Sequence, residues 1–319
     1  MDNIDKKILF ELDKNARKSI KKIAHELKMK RSTLAYRIKQ LEKNKIIQSY
    51  YAVIDYSKLG YNILVRIYIK FQNTSLEIEK EFIDYVLSQN ETFTVYKTEG
   101  DWDLTIGFLG KKLSEFDRFY KKIKEKYKIY IHSQNISLFR QYIQYYRNYL
   151  VDKKVRDYSS LITGEGELVK VDEIDLKLLN LISENARISL LDLSKQLKMT
   201  SMTTRYRLKG LEKERILIGY RVLLNLSKLD YEYYKIDLEI EDIKKIKLLQ
   251  QFAKQHPSII YEDRTVGGSD FEFDAELQGY DAFYSLIEEL KKEFPGLIKT
   301  YRYYKAKKIF KYSFFPKFN

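Results

Sequence analysis

Basic and hydrogen-bonding side chains are concentrated in one short stretch of the chain, residues 31–43. Leu34, Ile38 and Leu41 recur there at helical spacing and would form one apolar stripe. The opposite helical face would carry four polar or basic side chains: Ser32, Tyr36, Lys39 and Lys43. Such a helix is most often a solvated surface helix, but a dry stripe opposite a basic face also suits a helix that lies in a DNA groove.

An internal repeat favours the interpretation of residues 31–43 as a helix that lies in a DNA groove. Residues 201–213 match the basic stretch at an offset of 170, and three identical triplets recur at the same offset. The triplets are residues 15–17, 27–29 and 41–43, which return as residues 185–187, 197–199 and 211–213. In the later part of each copy the offset is three residues smaller, because Gly267 to Asp270 corresponds to Gly100 to Asp103. Self-similarity at a constant offset indicates a duplicated structural unit.

Two further helices and a hairpin are predicted around each basic helix. In the first copy Asp2 and Asp5 resemble a capping box, and Ser19 resembles the N-cap of a second helix. After the basic helix, residues 46–47 and 50–54 are two short β-rich runs, which predict a small hairpin. Three helices and a hairpin make a winged helix-turn-helix. A generic three-helix protein-docking module is the alternative.

The hydrophobic period changes from Ile63 onwards, and the order of elements becomes βαββαβ. These elements are a strand at 63–71, a helix at 76–87, strands at 93–97 and 104–108, a helix at 113–126 and an extended segment at 129–146. This order describes a ferredoxin-like sheet with helices on one face. The other face needs a partner, which the second copy supplies.

The predicted fold is therefore α+β, with two copies of a winged helix-turn-helix plus a ferredoxin-like βαββαβ effector domain that form an intramolecular pseudo-dimer. Residues 151–171 contain serine, glycine and mixed charges and are predicted to be a linker. The predicted winged helices are residues 1–60 and 172–230, and the predicted effector domains are residues 61–150 and 231–319.

Composition limits the function classes. The 319 residues carry a net charge of +14, which favours a polyanionic partner. Residues 1–60 hold 15 Lys/Arg against 7 Asp/Glu, whereas residues 172–230 hold 11 against 8, so the excess is +8 in the first winged helix and +3 in the second. The chain has no cysteine, which excludes disulfides and Cys-based metal or redox chemistry. With no membrane-length apolar run and an acidic start without a signal-peptide core, we expect a cytoplasmic protein with no membrane partner.

The sequence resembles the Lrp/AsnC (feast/famine) family of transcription regulators, and it does so twice over nearly its whole length. The residues that carry the resemblance in the first copy are Ile4-Asp5, Ile8-Leu9, Asn15-Ala16-Arg17, Ser19, Ile23-Ala24, Leu27, Ser32-Thr33, Arg37-Ile38, Leu41-Glu42, Ile46-Ile47 and Leu59-Gly60-Tyr61. Gly100 and Asp103 match the glycine–aspartate loop of the family's effector domain. The resemblance implies double-stranded DNA as the partner, a small-molecule effector such as an amino acid, and further homo-oligomers formed through the effector domains.

The candidate DNA-binding residues lie on the two basic helices. In the first copy they are Arg31, Ser32, Thr33, Tyr36, Arg37, Lys39 and Lys43, and in the second copy Ser201, Met202, Arg205, Tyr206, Arg207 and Lys209. We expect Arg37 and Lys43 to hold phosphates and the other first-copy residues to probe base edges. Two of the differences between the copies affect the start and the packing of these helices: Lys30 stands where the family has a capping serine while Thr200 keeps a capping oxygen, and Thr204 replaces the apolar Leu34.

The candidate effector-binding residues lie in the two corresponding loops: Gly100, Asp101 and Asp103 in the first copy, and Gly267, Gly268 and Asp270 in the second. A glycine lets the backbone approach a ligand, and a carboxylate accepts an ammonium group. The alternative is a tight turn that merely requires glycine. Ser269 stands in place of Asp101, so the two candidate pockets would differ by one charge.

An enzyme is the alternative function. The siroheme decarboxylases resemble this family in fold, occur as fused pairs and bind an anionic tetrapyrrole. Against this reading stand only three histidines, His25, His132 and His256, of which His25 is predicted to be exposed. The chain has no Walker loop, HExxH motif or nucleophile elbow. We therefore predict no catalytic residues, no metal site and no cofactor.

Overall fold

The computed structural model describes residues 1–312, and the order of elements in the first copy returns in the second. The first copy consists of α1 (Asn3–Lys14), α2 (Ile20–Glu26), α3 (Arg31–Lys43), β1 (Ile47–Ile54), β2 (Ile63–Phe71), α4 (Leu76–Ser88), β3 (Thr92–Gly100), β4 (Leu104–Gly110), α5 (Leu113–Tyr127) and β5 (Ile131–Tyr145). A short strand, β6 (Ser160–Thr163), lies between the copies. The second copy consists of α6 (Glu173–Glu184), α7 (Leu190–Gln196), α8 (Ser201–Lys213), β7 (Leu217–Leu224), β8 (Glu232–Ile240), α9 (Ile246–Gln255), β9 (Ile259–Val266), β10 (Phe271–Leu277), α10 (Gly279–Glu293) and β11 (Ile298–Tyr312).

The hairpin predicted within each winged helix is wrong. Residues 47–54 form the single strand β1, which pairs antiparallel with β7 of the other copy, so that Tyr50 lies opposite Val222. Residues 47–54 contain no glycine, proline or asparagine that would turn the chain back on itself. The strand therefore takes its hydrogen bonds from the other copy, and the two winged helices share one two-stranded ribbon.

The two winged helices are held together by reciprocal contacts. The Ala16 amide donates to the Tyr220 carbonyl at 2.8 Å, and the Ala186 amide donates to the Tyr50 carbonyl at 2.9 Å. Arg17 and Arg187 each donate to a backbone carbonyl of the opposite copy, at 2.7 and 2.6 Å. A single hydrophobic core contains buried side chains from both winged helices. Such i-to-j and j-to-i contacts are the mark of a two-fold arrangement.

The two ferredoxin-like sheets form a closed barrel. Strands β5-β2-β4-β3 make the first sheet and β11-β8-β10-β9 the second; β3 pairs with β11 and β5 pairs with β9. Helices α4 and α5 cover the outside of the first sheet, and α9 and α10 cover the second. The predicted intramolecular pseudo-dimer is confirmed, and the closure goes further than predicted because both sheet edges are paired.

A buried ionic network joins the first winged helix to the rest of the molecule. Asp13, at the end of α1, has no exposed surface and accepts hydrogen bonds from Arg147 and from Arg221 on β7 at 2.5–3.1 Å. Arg147 also donates to Glu276 on β10 at 2.8 Å. Burial by itself would raise the pKa of Asp13, but the guanidinium groups of Arg221 and Arg147 outweigh burial and lower it.

Replacing Asp13 by asparagine is expected to lower the free energy of unfolding by about 3–5 kcal/mol, because it leaves two buried arginines with an incomplete partner. Urea unfolding at pH 7 measures the change. Since the pKa of Asp13 is lowered in the folded protein, its stabilisation is present above about pH 4 and is lost as the pH falls further. The matched control is Ser183→Ala at the equivalent position of the second copy, where we expect less than about 1.5 kcal/mol. Equal costs at both positions would contradict the asymmetry of this network.

Candidate nucleic-acid interface

The first candidate recognition helix, α3, presents the polar face that its sequence predicts. Leu34, Ile38 and Leu41 are buried in the core shared by the winged helices. Six of the seven candidate DNA-binding residues of this helix are exposed: Arg31, Ser32, Thr33, Tyr36, Lys39 and Lys43. Tyr36 keeps 64% of its surface accessible. The helix therefore offers a continuous polar surface to a partner.

Arg37 has a structural role that the sequence did not reveal. Its guanidinium donates to Asp2 at 2.7 Å and to Asp5 at 2.8 Å, and thereby ties α3 to the start of α1. Arg207 makes the same pair of bonds to Asp172 and Asp175, at 2.8 and 2.9 Å. These two arginines are thus engaged within their own winged helices. Their predicted contacts to phosphates remain a prediction.

The second candidate recognition helix, α8, has a side-chain N-cap that α3 lacks, and its buried face is more polar than that of α3. The Thr200 hydroxyl accepts from the Thr203 amide at 3.1 Å, whereas Lys30 makes no side-chain cap at the start of α3. Thr204 is fully buried in place of Leu34, and its hydroxyl donates to the Thr200 carbonyl at 3.0 Å. The exposed candidate residues of α8 are Ser201, Met202, Arg205, Tyr206 and Lys209.

The two glycine–aspartate loops lie where the strands of the two sheets meet. Gly100 has a φ of +119°, and a Cβ there would lie 2.7 Å from the Tyr303 carbonyl oxygen on β11. Asp101 bonds to the same residue twice: its amide donates to the Tyr303 carbonyl, and its carboxylate accepts from the Tyr303 amide at 2.7 Å. Asp103 accepts from the Phe71 amide at 2.8 Å and pairs with Lys70 at 2.9 Å.

The second loop repeats this arrangement. Asp270 accepts from the Ile240 amide at 2.9 Å, as Asp103 does from Phe71. Gly267 approaches the Ile136 carbonyl on β5, and Gly268 leaves room for Glu272, whose carboxylate would lie 1.7 Å from any Cβ there. The glycines and aspartates thus have structural roles at both strand junctions. Their binding of an effector remains a prediction.

The barrel interior holds the charged residues that sequence reasoning missed. Along β10, Glu272, Asp274 and Glu276 alternate with apolar residues and point into the barrel, where all three are buried. Lys235 on β8 and Asp263 on β9 join them and form a salt bridge at 2.6 Å. The alternation is visible in the sequence, but it is also typical of a sheet with one face in water.

The comparisons with known proteins agree with this architecture. The family model for winged helix-turn-helix DNA-binding domains matches residues 1–48 and again residues 171–218. The HTH-type transcriptional regulator FL11 of Pyrococcus furiosus is 32% identical over 120 residues, which are 37% of this chain and 77% of that protein. An uncharacterized HTH-type transcriptional regulator of Pyrococcus abyssi is 31% identical over 124 residues, 39% of this chain and 82% of that protein. The structure of the siroheme decarboxylase NirDL covers 100% of this chain and 95% of its own with a TM-score of 0.66 and 14% identity, which shows a common fold.

Paired winged helices on a barrel of two ferredoxin-like domains define this molecule as a duplicated helix-turn-helix protein. The chain belongs to the HTH-type transcriptional regulators, as a form in which the winged helix-turn-helix occurs twice. Within residues 1–312, no helix is both long enough and apolar enough to cross a membrane.

The difference in N-caps predicts opposite effects of two substitutions. Thr200→Ala should destabilise the protein by about 1 kcal/mol, because it removes the side-chain acceptor at the start of α8. Lys30→Thr should stabilise it by about 0.5–1 kcal/mol, because it adds the missing acceptor at the start of α3. Urea unfolding measures both changes. Destabilisation by Lys30→Thr would show that Lys30 makes a contact that stabilises the protein by more than an N-cap does.

Proposed function

We propose that this regulator binds double-stranded DNA as a single chain, with α3 and α8 in the major groove of two half-sites. The observation that carries the proposal is the set of reciprocal hydrogen bonds between the two winged helices. These contacts relate the exposed helices α3 and α8 by a two-fold arrangement. Paired recognition helices of this kind read two half-sites about 10 bp apart or a multiple of that distance. The duplicated chain would then do what a dimer of single units does.

The two half-sites should differ in sequence. Arg31, Ser32 and Ala35 of α3 correspond to Ser201, Met202 and Arg205 of α8, so the side chains that would face base edges are not the same. The larger basic excess of the first winged helix, +8 against +3, should make the first half-site the stronger one. Selection of bound sequences from random duplexes should therefore return an imperfect palindrome.

Salt-dependent DNA binding tests the proposal and the asymmetry together. Lys39 and Lys209 are equivalent, exposed and not tied to a carboxylate among residues 1–312, which makes them a cleaner pair than Arg37 and Arg207. Lys39→Ala should weaken binding and reduce the salt slope by about one, because one cationic side chain fewer at the DNA surface releases one counterion fewer. Lys209→Ala should cost less.

Fluorescence anisotropy with a selected duplex at several salt concentrations measures both variants. Equal losses of DNA affinity in the two variants would contradict the dominance of α3. DNA binding that does not depend on salt would contradict the proposed contacts to phosphates. Lys80→Ala, which changes an exposed lysine on helix α4 outside the first sheet, is the control and should bind DNA as the wild type does.

An amino-acid effector and further oligomers through the effector domains belong to the same proposal. The support is the family resemblance of the loops that contain Asp101 and Asp103. Thermal-shift screening against the twenty amino acids, repeated on Asp101→Ala and Asp103→Ala, tests the site. A ligand that binds the wild type and both variants equally well would leave the loops with their strand-joining role alone.

A tetrapyrrole enzyme on the same fold is the alternative that the likeness to NirDL raises. Histidine is a common axial ligand of haem-type iron, yet His25 and His132 lie on the surface. His256 is packed beside Phe252, and its pKa is lowered to about 4, by burial first and by Arg156 second. We therefore expect no change in Soret absorbance when siroheme is mixed with the protein. A saturable Soret shift would favour the enzyme.

A further inference from the structure

The short strand β6 extends the first sheet, and the second sheet lacks its counterpart. On the edge of β5 that pairs with β2 up to Leu138, residues 142–145 continue the sheet by pairing with β6. Strand β11 is the counterpart of β5, and its pairing with β8 ends at Lys305. In the part of the chain that the structure describes, no strand pairs with residues 306–310 on that edge. These five residues therefore form an open strand edge.

Two side chains of the first copy hold the residues that follow β6. The Asp55 carboxylate accepts from the Gly164 amide at 3.0 Å, and the Ser57 hydroxyl accepts from the Gly166 amide at 2.8 Å. Both acceptors lie in the short turn that follows β1. They guide an extended segment through its backbone amides, so they place no requirement on its side chains.

The same two positions of the second copy lie beside the open edge. At the offset of 170 residues, Asp55 and Ser57 correspond to Asn225 and Ser227. Both line a cavity of about 510 Å³ between the barrel and the β1–β7 ribbon, together with residues 305–309. The Ser227 hydroxyl donates to Asn225 at 2.7 Å, but no backbone amide among residues 1–312 donates to either side chain. The acceptors are thus repeated while the segment that they would guide is not.

The segment around β6 and the open edge carry complementary charges. Residues 157–167 hold three carboxylates and no lysine or arginine: Asp157, Glu165 and Glu167. Glu165 lies 3.5 Å from Arg140 on β5. The counterpart of Arg140 is Lys307, which is exposed and pairs with Glu99. Lys308 beside it is exposed and forms no salt bridge within residues 1–312. An acidic segment at the open edge would therefore meet positive charge, as the segment around β6 does on β5.

The open edge also exposes an apolar side chain. Ile309 keeps 56% of its surface accessible and belongs to the cavity wall. A strand edge of this kind is a template for a further strand. Peptides that add to such an edge gain affinity from main-chain hydrogen bonds and specificity from the neighbouring pockets.

We propose that the open edge of β11 binds an extended acidic peptide segment of a partner protein, which adds a strand to the second sheet as β6 does to the first. Asn225 and Ser227 accept hydrogen bonds from its backbone amides, and Lys307 and Lys308 pair with its carboxylates. A second copy of this chain is a poorer occupant, because its own β6 would have to leave β5. The site is separate from the candidate DNA-binding helices and does not depend on DNA binding.

Calorimetry with the full chain and without DNA tests the site. The probe is a synthetic peptide of residues 157–167 with blocked ends, which should bind as one molecule per chain. A peptide with Asp157→Lys, Glu165→Lys and Glu167→Lys should bind at least about tenfold more weakly, because its charges oppose those of the edge. Absence of binding at millimolar concentration, or equal binding of a scrambled peptide, would overturn the proposal.

Two matched variants show where the peptide binds. Lys307→Ala at the open edge should weaken peptide binding several-fold, whereas Arg140→Ala at the equivalent position beside β6 should leave it unchanged. The opposite result would show that the peptide displaces β6 from β5, and it would overturn the proposal. The double variant Asn225→Ala/Ser227→Ala should weaken binding by about tenfold, because it removes two acceptors for backbone amides. Unchanged affinity in that variant, with the melting temperature of the wild type, would also overturn it.

Two further measurements test the other occupants. Phe314→Ala/Phe315→Ala in the full chain should bind the peptide as the wild type does. Binding that is tighter by about tenfold or more would assign the edge to the C-terminal residues of this chain and overturn the proposal. Sedimentation of the wild type with and without the peptide should give the same mass per particle apart from the bound peptide. A dimer that the peptide dissociates would assign the edge to a second copy and overturn the proposal.

Discussion

Neither copy of the repeat can satisfy its own strand edges, and this constraint determines how the molecule is assembled. Strand β1 has no partner within its own winged helix, and β3 and β5 end the first sheet with open edges. The second copy supplies β7, β11 and β9 to these three edges. An unpaired edge would invite other chains, so the duplication converts an intermolecular requirement into an intramolecular one.

Closure of the barrel changes the chemistry of residues that would otherwise face water. In β10, Glu272, Asp274 and Glu276 would form the solvated face of an open sheet, but pairing of β5 with β9 places them inside. Burial then makes every unpaired charge expensive. Glu276 is compensated by Arg147 from the end of β5, whereas the carboxylates around Lys235 are compensated only in part. The interior is therefore an ionic core that joins side chains of both copies.

Hydrophobic periodicity in the sequence predicted the helices and strands well, but it did not predict which strands and side chains pair in the folded molecule. The bounds of β2 and the buried stripe of α3 follow from hydrophobic period alone. The predicted hairpin was wrong because the sequence of β1 specifies an extended strand but not its partner. Likewise, the spacing of Arg37 from Asp2 and Asp5 carries no local signal, so the ionic tie between α3 and α1 was not predicted. Alternating charges on β10 were visible, but only the closed topology makes them interior.

The copies have diverged in ways that a single chain permits and a dimer of identical subunits does not. Asp13 and Arg221 form a buried pair, while the equivalent positions hold Ser183 and Tyr51, so among residues 1–312 this Asp–Arg pair occurs on one side of the pseudo-dimer only. A symmetric dimer would have to build such a network twice or not at all. The same freedom applies to the recognition helices. If α3 and α8 bind two half-sites as proposed, the second half-site would meet α8 at an effective concentration set by the contacts that hold the two winged helices together, not by the protein concentration. A second winged helix with less positive charge would then still add affinity, and its sequence would be free to change toward a different half-site.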